Sequence, residues 1–292
     1  MSAAESPHAL PATARVAVIG SGTMGAGIAQ VAAVAGHPVQ LYDSRDGAAP
    51  KAIADIRASL DKLANKGKIT HEQAQGASDR LSVAHALQEM RDARLVVEAI
   101  VEQLAAKQEL FGKLEAIVDA QCILASNTSS ISITQIAATL RHPERLAGMH
   151  FFNPVPMMAL VEIIRGLQTS DATHDAVKAL AERLGKSPIT VKNAPGFVVN
   201  RILVPMINEA FFVLAEGLAT PEDIDAGMKL GCNQPIGPLA LADMVGLDVC
   251  LAVMDVYLAE FGDSKYRACP LLKEYVAAGR LGRKTGRGVY SY

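Results

Sequence analysis

Short apolar runs alternate with amphipathic stretches from residue 15 to about residue 192 of the chain. Runs with so few polar positions are typical of strands that are buried on both faces of a parallel sheet. Apolar residues spaced three or four apart between the runs predict helices. The alternation therefore predicts a doubly wound α/β sheet. Its expected strands are residues 16–19, 38–42, 95–99, 122–126, 146–150, 160–164 and 189–191.

Two helices after the second strand are predicted to form a hairpin that projects from the sheet. The first places its apolar residues three or four positions apart, at Ile53, Ile56, Leu60 and Leu63, as an amphipathic helix does. Gly67 ends it, and a capping box between Thr70 and Gln73 begins the second helix. Further helices are expected at 24–35, before Gly36, and at 171–184, before Gly185.

The pattern changes near residue 193, and beyond it the chain predicts almost only helix. Residues 202–215 are apolar on most faces and are expected to be buried, and Thr220 is expected to cap a helix that begins at Pro221. Residues 247–261 are again largely apolar. We therefore divide the chain into a flexible lead-in (1–14), an α/β domain (15–193) and a helical domain (194–292) whose apolar helices are expected to form a homodimer interface.

Composition excludes several classes of protein. The 292 residues are 50% hydrophobic with a net charge of −2, and the chain has no long basic run of the kind that binds nucleic acid. No apolar run reaches the roughly 18 residues of a membrane helix, and the N-terminus does not have the pattern of a secretory signal. The four cysteines are widely spaced, which favours reduced thiols in a cytoplasmic protein over disulfides or a metal site.

The first strand leads into Gly20-x-Gly22-x-x-Gly25, a spacing typical of loops that bind a dinucleotide pyrophosphate, although an ordinary glycine-rich turn of an α/β domain would have the same spacing. Gly20 permits the tight turn, Gly22 lets backbone approach the phosphates, and Gly25 lets helix and strand pack closely. The free N–H groups of the helix N-terminus attract phosphate. Asp43, at the end of the second strand, would bind the ribose hydroxyls and repel a 2′-phosphate. The predicted cofactor is therefore NAD rather than NADP, although the nearby Arg45 weakens that preference.

His150 is the strongest candidate base among the seven histidines. It ends a predicted strand, and ligands of α/β proteins bind at strand ends. Glu162 lies twelve residues later in an otherwise apolar strand, where a carboxylate needs a partner. His150 is the simplest partner, although a purely structural pair would have the same spacing. Five other histidines are expected at the surface: His37, His71, His85, His142 and His174.

Two other polar positions have alternative interpretations. Residues 126–130, Ser-Asn-Thr-Ser-Ser, leave a strand end and would either bind a reacting oxygen and the nicotinamide carboxamide or simply begin a helix. Asn200 opens a mostly apolar helix. It would act either as an N-cap or as a residue that faces a cleft.

Six motifs in this order resemble those of the L-3-hydroxyacyl-CoA dehydrogenases, and the short bacterial 3-hydroxybutyryl-CoA dehydrogenases look most similar. The motifs are Gly20-x-Gly22-x-x-Gly25, Val96-Val97-Glu98-Ala99-Ile100-Val101-Glu102, Ser126-Asn127-Thr128-Ser129-Ser130, His150-Phe-Phe-Asn153-Pro, Pro195-Gly196-Phe197-Val-Val-Asn200-Arg201 and Lys284-Thr-Gly-x-Gly. The resemblance runs from about residue 15 to residue 292. It implies a Rossmann-like domain, a helical dimerisation domain and a cleft between them.

The resemblance also implies a reaction, the reversible NAD-dependent oxidation of (S)-3-hydroxyacyl-CoA to 3-oxoacyl-CoA. His150 matches the family's general base, Glu162 its orienting carboxylate, Ser129 a serine that contacts substrate and nicotinamide, and Asn200 a substrate-binding asparagine. The matching cofactor-contacting positions, beyond the glycines and Asp43, are Thr23, Met24, Glu102, Lys107, Asn153 and Lys284. Ser59 and Lys66 match positions that hold CoA. Ala159 departs from the family, because many relatives carry a lysine there.

Two other functions remain open at the level of sequence. One is a dehydrogenase of free hydroxyacids or sugar acids, of the gulonate type, which shares the fold. The other is a non-catalytic, crystallin-like NAD-binding protein, which the intact His150–Glu162 pair disfavours. The residues do not indicate the length of the substrate's acyl chain or the direction in which the reaction runs in metabolism. The candidate substrates are therefore 3-hydroxybutyryl-CoA, the longer 3-hydroxyacyl-CoA thioesters of fatty acid β-oxidation and the dicarboxylic 3-hydroxyadipyl-CoA.

Overall fold

A computed structural model describes residues 10–11 and 13–292 of the chain. Two compact units divide at residue 194, the first ending at Ala194 and the second running from Pro195 to Tyr292. The predicted flexible lead-in over 1–14 falls largely outside the described residues. Leu10 and Ala14 are nevertheless buried in the main core, so the lead-in prediction is wrong for these two positions, whose apolar side chains have a surface to pack on.

The first unit alternates strands and helices as the apolar pattern predicts. Its strands are β1 (Val16–Ile19), β2 (Val39–Tyr42), β3 (Leu81–Val83), β4 (Leu95–Glu98), β5 (Ile123–Ser126), β6 (Leu146–Phe151), β7 (Leu160–Arg165) and β8 (Ser187–Lys192). Its α-helices are α1 (Thr23–Val34), α2 (Ala48–Asn65), α3 (His71–Asp79), α4 (Leu104–Glu115), α5 (Ile133–Ala137) and α6 (Asp171–Arg183), with 3-10 turns at Leu87–Asp92 and Pro143–Arg145.

In the described part of the chain the strands form one eight-stranded sheet in the order β3-β2-β1-β4-β5-β6-β7-β8. The predicted doubly wound α/β fold is confirmed. The apolar pattern missed β3, whose three residues alternate in burial. It also did not show that β7 runs antiparallel to β6. Only residues 152–159 join these two strands, and a parallel crossover needs about a dozen residues or more.

The hairpin of α2 and α3 is present, and Thr70 and Gln73 form the predicted capping box. It does not simply project from the sheet. Ile53, Ile56 and Leu60 belong to the same buried core as the strands, and the hairpin also packs against α1 and β3. The apolar face of α2 is therefore used in the main core, while its polar face stays in solvent.

The second unit is helical, as the sequence predicts. Its α-helices are α7 (Val199–Ala215), α8 (Pro221–Gly231), α9 (Pro238–Val245), α10 (Leu247–Phe261) and α11 (Pro270–Ala277), with 3-10 turns at Ser264–Tyr266 and Arg283–Thr285. Thr220 caps α8 as predicted, with its hydroxyl accepting from the N–H of Asp223. None of the helices in the described ranges has the combination of length and apolar character needed to cross a membrane.

One expectation about α7 is wrong. The helix is not buried on most faces, because Ile202 is 67% exposed while its buried residues follow one stripe that includes Ile207 and Phe211. Of the two alternatives left open for Asn200, the N-cap is excluded, because the helix begins at Val199 and its N-cap position is Val198. An apolar composition alone did not show which face of the helix meets the core.

Candidate functional site

The parallel strands β1, β4, β5 and β6 bring their carboxyl ends to one edge of the sheet. The glycine loop follows β1, the segment to Glu102 follows β4, the segment to Ser130 follows β5, and His150 lies at the end of β6. Ligands of open α/β sheets bind at this edge. Four of the sequence motifs therefore meet at one edge of the first unit.

The three glycines of the loop have different physical reasons for being glycine. Gly20 has a φ of +99°, and a Cβ there would overlap the carbonyl oxygen of Ala99. A Cβ on Gly25 would overlap the carbonyl oxygen of Gly20. Gly22 differs. A Cβ there would lie more than 4 Å from every heavy atom of the described residues, apart from its neighbours in the chain and the nearby helix backbone. The open space beside Gly22, at the start of α1, is where backbone can approach a phosphate.

A cavity of about 680 Å³ adjoins this loop. Its lining includes Gly20, Gly22, Asp43, Ile100 and Leu110. A volume of several hundred cubic ångströms is typical of sites for small molecules and cofactors. The cavity therefore joins the predicted phosphate loop to the predicted ribose-binding carboxylate.

Asp43 is tied both to the loop and to its own strand end. Its Oδ2 accepts from the N–H of Ser21 at 2.8 Å and from the Ser21 hydroxyl at 2.7 Å. Arg45 contacts both carboxylate oxygens through its side chain, with N–O distances of 3.1 Å. Burial alone would raise the pKa of Asp43, but the hydrogen bonds from Arg45 and Ser21 hold it well below its usual range. The carboxylate is therefore ionised at neutral pH.

A buried ion-pair network supports the neighbouring strand end. The Lys107 ammonium, on a side chain that is 1% exposed, lies 2.5 Å from Glu98 Oε1 and 3.3 Å from Glu102 Oε2. Glu98 is fully buried and also accepts from the Ser126 hydroxyl at 2.6 Å. A buried cation is tolerated only with such partners. The network joins the ends of β4 and β5 and fixes Glu102.

Glu102 in turn organises the serine-rich segment. Its Oε1 accepts from Thr128 Oγ1 at 2.6 Å and from the N–H groups of Ser129 and Ser130 at 2.9 and 3.0 Å. The Ser129 hydroxyl is also 3.2 Å from this oxygen. Burial would raise the pKa of Glu102, but Lys107 and these hydrogen bonds lower it. An ionised Glu102 therefore holds Ser129 in place.

His150 and Glu162 form the predicted contact. Nδ1 of His150 lies 2.7 Å from Oε2 of Glu162, and the two side chains are 7% and 0% exposed. With the carboxylate ionised, this contact places the proton on Nδ1 and the imidazole lone pair on Nε2. The Phe152 ring, 4.6 Å away between centroids, lies against the imidazole. An imidazole oriented in this way can accept a proton at Nε2.

The segment that joins β6 to β7 is held by two residues that the sequence analysis did not single out. Asn127 Oδ1 accepts from the N–H of Phe151 at 2.9 Å. Lys186 donates to the carbonyls of Val155 and Met158 at 2.5 and 2.9 Å, and burial lowers its pKa. Asn153 lies exposed in this segment. These bonds fix the part of the chain that directly follows His150.

The remaining predicted residues lie on other elements. Ser59 is half-buried on α2, and Lys66 is exposed at the end of that helix. In the second unit, Asn200 lies in the first turn of α7, and the Lys284 ammonium is 2.5 and 2.7 Å from the two carboxylate oxygens of Asp248. Thr23 and Met24 form the first turn of α1.

The surface prediction is wrong for two histidines. His37 is fully buried, and its Nδ1 lies 2.9 Å from the carbonyl oxygen of Ala14. His174 is 8% exposed, and its two ring nitrogens contact Asp175 and Thr190. Each histidine is in contact with a residue that is distant in sequence, His37 with Ala14 and His174 with Thr190. The residues next to them in sequence therefore did not indicate that they are buried.

Sequence reasoning also missed Ser21, Asn127 and Glu98. Glu98 carried a usable signal, because it is a carboxylate in an apolar strand, as Glu162 is. The same argument about the cost of burial predicts a partner for it. Ser21 and Asn127 had no such signal, since serine and asparagine are common in loops.

Comparisons with known proteins agree with this arrangement. Residues 15–194 match the family model described as "3-hydroxyacyl-CoA dehydrogenase, NAD binding domain". Residues 196–292 match "3-hydroxyacyl-CoA dehydrogenase, C-terminal domain". Together the two models cover nearly the whole chain, including both described units.

Relatives of similar length bear related names. The chain is 52% identical to a probable 3-hydroxybutyryl-CoA dehydrogenase of Bacillus subtilis, over 95% of this chain and 97% of the relative. It is 49% identical to a 3-hydroxybutyryl-CoA dehydrogenase of Clostridioides difficile, over 95% and 99%. The crystal structure of (S)-3-hydroxybutyryl-CoA dehydrogenase PaaH1 from Ralstonia eutropha is similar with a TM-score of 0.94 at 57% identity, covering 96% of this chain and 99% of that one.

Proposed function

The chain belongs to the 3-hydroxyacyl-CoA dehydrogenase family, and on that premise we propose that it oxidises (S)-3-hydroxybutyryl-CoA reversibly to acetoacetyl-CoA with NAD. It is an NAD-dependent oxidoreductase. The observation that carries the catalytic part of the proposal is the 2.7 Å contact between His150 Nδ1 and Glu162 Oε2 at the carboxyl edge of the sheet. That contact supplies the proton acceptor that oxidation of an alcohol requires.

The residues of the first unit fit NAD. The open space beside Gly22 suits a pyrophosphate, and the ionised Asp43 suits ribose hydroxyls. NAD, when bound, would supply the acceptor for the hydride that leaves C3 of the substrate. Thr23, Met24 and Asn153 are proposed as further contacts, and so is Lys284 of the second unit. Lys107 is buried against two carboxylates, so its influence on a cofactor would pass through Glu102.

His150 moves the proton in this proposal. Its Nε2 lone pair takes the proton of the 3-hydroxyl in oxidation, and the imidazolium returns it in reduction. The Glu162 carboxylate, fully buried, orients the ring through Nδ1 and stabilises the imidazolium by its charge. Ser129 and Asn200 are proposed to position the substrate's oxygen. Glu102 holds Ser129 in place for that role.

The cation proposed for substrate binding, Lys66, suits the CoA portion of a thioester whose acyl chain is short and uncharged. Ser59 and the exposed Lys66 are proposed to hold the CoA portion, since an ammonium group binds phosphate well. A dicarboxylic acyl chain would need another cation. Arg165 and Arg201 are two arginines that could supply it, and each already has a partner: Arg165 pairs with Asp171 at 2.6 Å, and Arg201 lies over the Phe261 ring at 3.7 Å. The relatives named 3-hydroxybutyryl-CoA dehydrogenase, at 49–52% identity, support 3-hydroxybutyryl-CoA rather than 3-hydroxyadipyl-CoA as the substrate.

We also propose a homodimer formed by the second unit. Helix α10 buries one face through residues that include Cys250 and Met254. Its opposite face carries Val249 and Val256, which are 44% and 37% exposed and seven residues apart. A second apolar stripe on a helix indicates a second packing surface.

A cytoplasmic location is proposed as well. The four cysteines are free thiols, and three of them are buried. Burial raises the pKa of Cys122 and of Cys250 to about 12. Such thiols are unreactive, and free thiols are typical of a reducing compartment.

Steady-state kinetics with NADH test the proposed activity. We expect turnover of acetoacetyl-CoA, and little turnover of free acetoacetate or of a dicarboxylic 3-oxoacyl-CoA. His150→Gln should lower kcat at least a hundredfold, the usual contribution of a general base, while NADH binding persists. Turnover of the free acid but not the thioester would instead support a hydroxyacid dehydrogenase. Binding of NADH without turnover of any 3-oxo substrate would support a non-catalytic protein.

A further inference from the structure

We propose that Arg45 sets the cofactor preference of this enzyme by competing for Asp43, and that it gives the enzyme a measurable affinity for NADP(H). The inference rests on the proposed use of Asp43 as the ribose-binding residue. It adds a specificity-determining residue to that site, and it predicts a weaker preference for NAD than the acidic residue alone would produce.

The carboxylate of Asp43 is already saturated. It accepts five hydrogen bonds, from the N–H and hydroxyl of Ser21 and from the N–H, Nε and Nη2 of Arg45. An ionised carboxylate has roughly four lone-pair sites. A pair of ribose hydroxyls would therefore have to replace bonds that exist, rather than fill open positions.

The Arg45 side chain is the partner that can leave. The Ser21 bonds belong to the glycine loop, and one Arg45 bond comes from its own backbone N–H. The Arg45 side chain is 72% exposed, whereas the Asp43 side chain is 7% exposed. Exposed ion pairs are weak and exchange readily with solvent. The ribose hydroxyls of NAD thus compete with the two side-chain bonds of Arg45.

The guanidinium of Arg45, once released from Asp43, lies beside open space. Arg45 lines the 680 Å³ cavity beside the glycine loop and also a second cavity of about 270 Å³. The second cavity is lined by Tyr42, Asp43, His85 and Asp46 as well. An arginine beside the ribose site accommodates a 2′-phosphate in NADP-binding domains, because its planar fork matches phosphate oxygens.

The charges at this place predict the balance between the two cofactors. Asp43 and Asp46 repel a 2′-phosphate, and Arg45 attracts it. NAD therefore remains the better cofactor, while Arg45 reduces the penalty for NADP. Removing the guanidinium should change the affinities for the two cofactors in opposite directions. The affinity for NAD should rise, because Asp43 becomes free to bind the ribose hydroxyls. The affinity for NADP should fall, because the 2′-phosphate then meets only carboxylates.

Arg45→Gln tests the proposal, with Lys51→Gln as the matched control. Lys51 is an exposed cation six residues later that pairs with Asp55, so each variant loses one exposed positive charge that is paired with an aspartate. The Kd values of NADH and NADPH would be measured by calorimetric titration of each protein, and kcat/KM for both cofactors would be measured with acetoacetyl-CoA.

We expect Arg45→Gln to bind NADH more tightly and NADPH more weakly, so that the ratio of the two Kd values changes by roughly fivefold or more, the scale of one exposed charge-assisted contact. Lys51→Gln should keep the ratio of the unmodified protein. An unchanged ratio in Arg45→Gln, or an equal change in Lys51→Gln, would overturn this proposal and leave the proposed function untouched. Failure of the unmodified protein to bind NADH would overturn the proposed function itself.

Discussion

His150 and Glu162 are directly opposite each other across the antiparallel pair β6–β7. Opposed residues of an antiparallel pair lie on the same face of the sheet with their Cβ atoms about 5 Å apart. The 2.7 Å contact between Nδ1 and Oε2 therefore follows from the register of the two strands. A slip of one residue would send one side chain to the other face, so the connecting segment 152–159 also sets the geometry of the proposed base.

Glu162→Gln should reduce kcat by roughly ten- to a thousandfold, somewhat less than the roughly 10²–10⁴-fold that general-base catalysis contributes in full. The amide can still accept from Nδ1–H, so the imidazole remains oriented, but the imidazolium loses its counter-charge. The measurement is kcat for acetoacetyl-CoA reduction, and NADH titration serves as the control for an intact cofactor site. A kcat within twofold of the unmodified enzyme would contradict the role assigned to the carboxylate.

Gly22→Ala and Gly25→Ala should have different effects although the chemical change is the same. A Cβ on Gly22 enters open space, whereas a Cβ on Gly25 overlaps the carbonyl oxygen of Gly20. Gly22→Ala should therefore keep the melting temperature and weaken NADH binding roughly tenfold or more, about 1.4 kcal/mol. Gly25→Ala should destabilise the fold by about 1–3 kcal/mol, as overpacking does.

Thermal melts measure the stability of these two glycine variants, and NADH titrations measure their affinity for the cofactor. Equal melting temperatures for the two variants would show that the close contact at Gly25 is not structural. Normal NADH affinity in Gly22→Ala would show that the open space is not used by the cofactor.

Glu102→Gln should remove a part of the stability that depends on pH. The pKa of Glu102 in the folded chain lies below its ordinary value of 4.5, so the unfolded chain binds the proton at higher pH. The carboxylate then contributes its full stability above about pH 4.5, and the contribution is lost as pH falls through the folded pKa. The difference in melting temperature between Glu102→Gln and the unmodified protein should be largest at pH 7 and should shrink below pH 4.5.

Glu182→Gln is a suitable comparison for Glu102→Gln, because Glu182 is exposed on α6 and an exposed carboxylate contributes little. Its melting temperature should follow that of the unmodified protein at every pH. A difference for Glu102→Gln that stayed constant from pH 7 to pH 3 would show that the ionised form is not what stabilises the segment around Ser129.

Aspartate at both Val249 and Val256 should disrupt the proposed dimer. The two valines lie on the exposed stripe of α10, and two buried charges without partners would be costly in an interface. Sedimentation or light scattering should show a monomer for this double variant. Leu167→Asp is the control, since Leu167 is an apolar residue of the first unit that is 87% exposed; that variant should remain dimeric. A dimeric double variant would place the interface elsewhere.

The sequence by itself determined most of the features that depend on neighbouring residues. Apolar runs located most of the strands, Thr70 and Thr220 marked helix starts, and the glycine loop with Asp43 indicated the cofactor. The isolated carboxylate at Glu162 pointed to His150, because a buried charge needs a partner within reach. These signals are local or rest on the cost of burying one group.

Only the tertiary structure decided which distant segments meet. It added β3, paired Lys107 with Glu98, buried His37, and placed Arg45 on Asp43. It also decided which face of α7 is buried. Each of these depends on the packing and pairing of elements, and sequence spacing carries little of that information. The sequence therefore indicated the chemistry, while the fold determined which partners hold each chemical group in place.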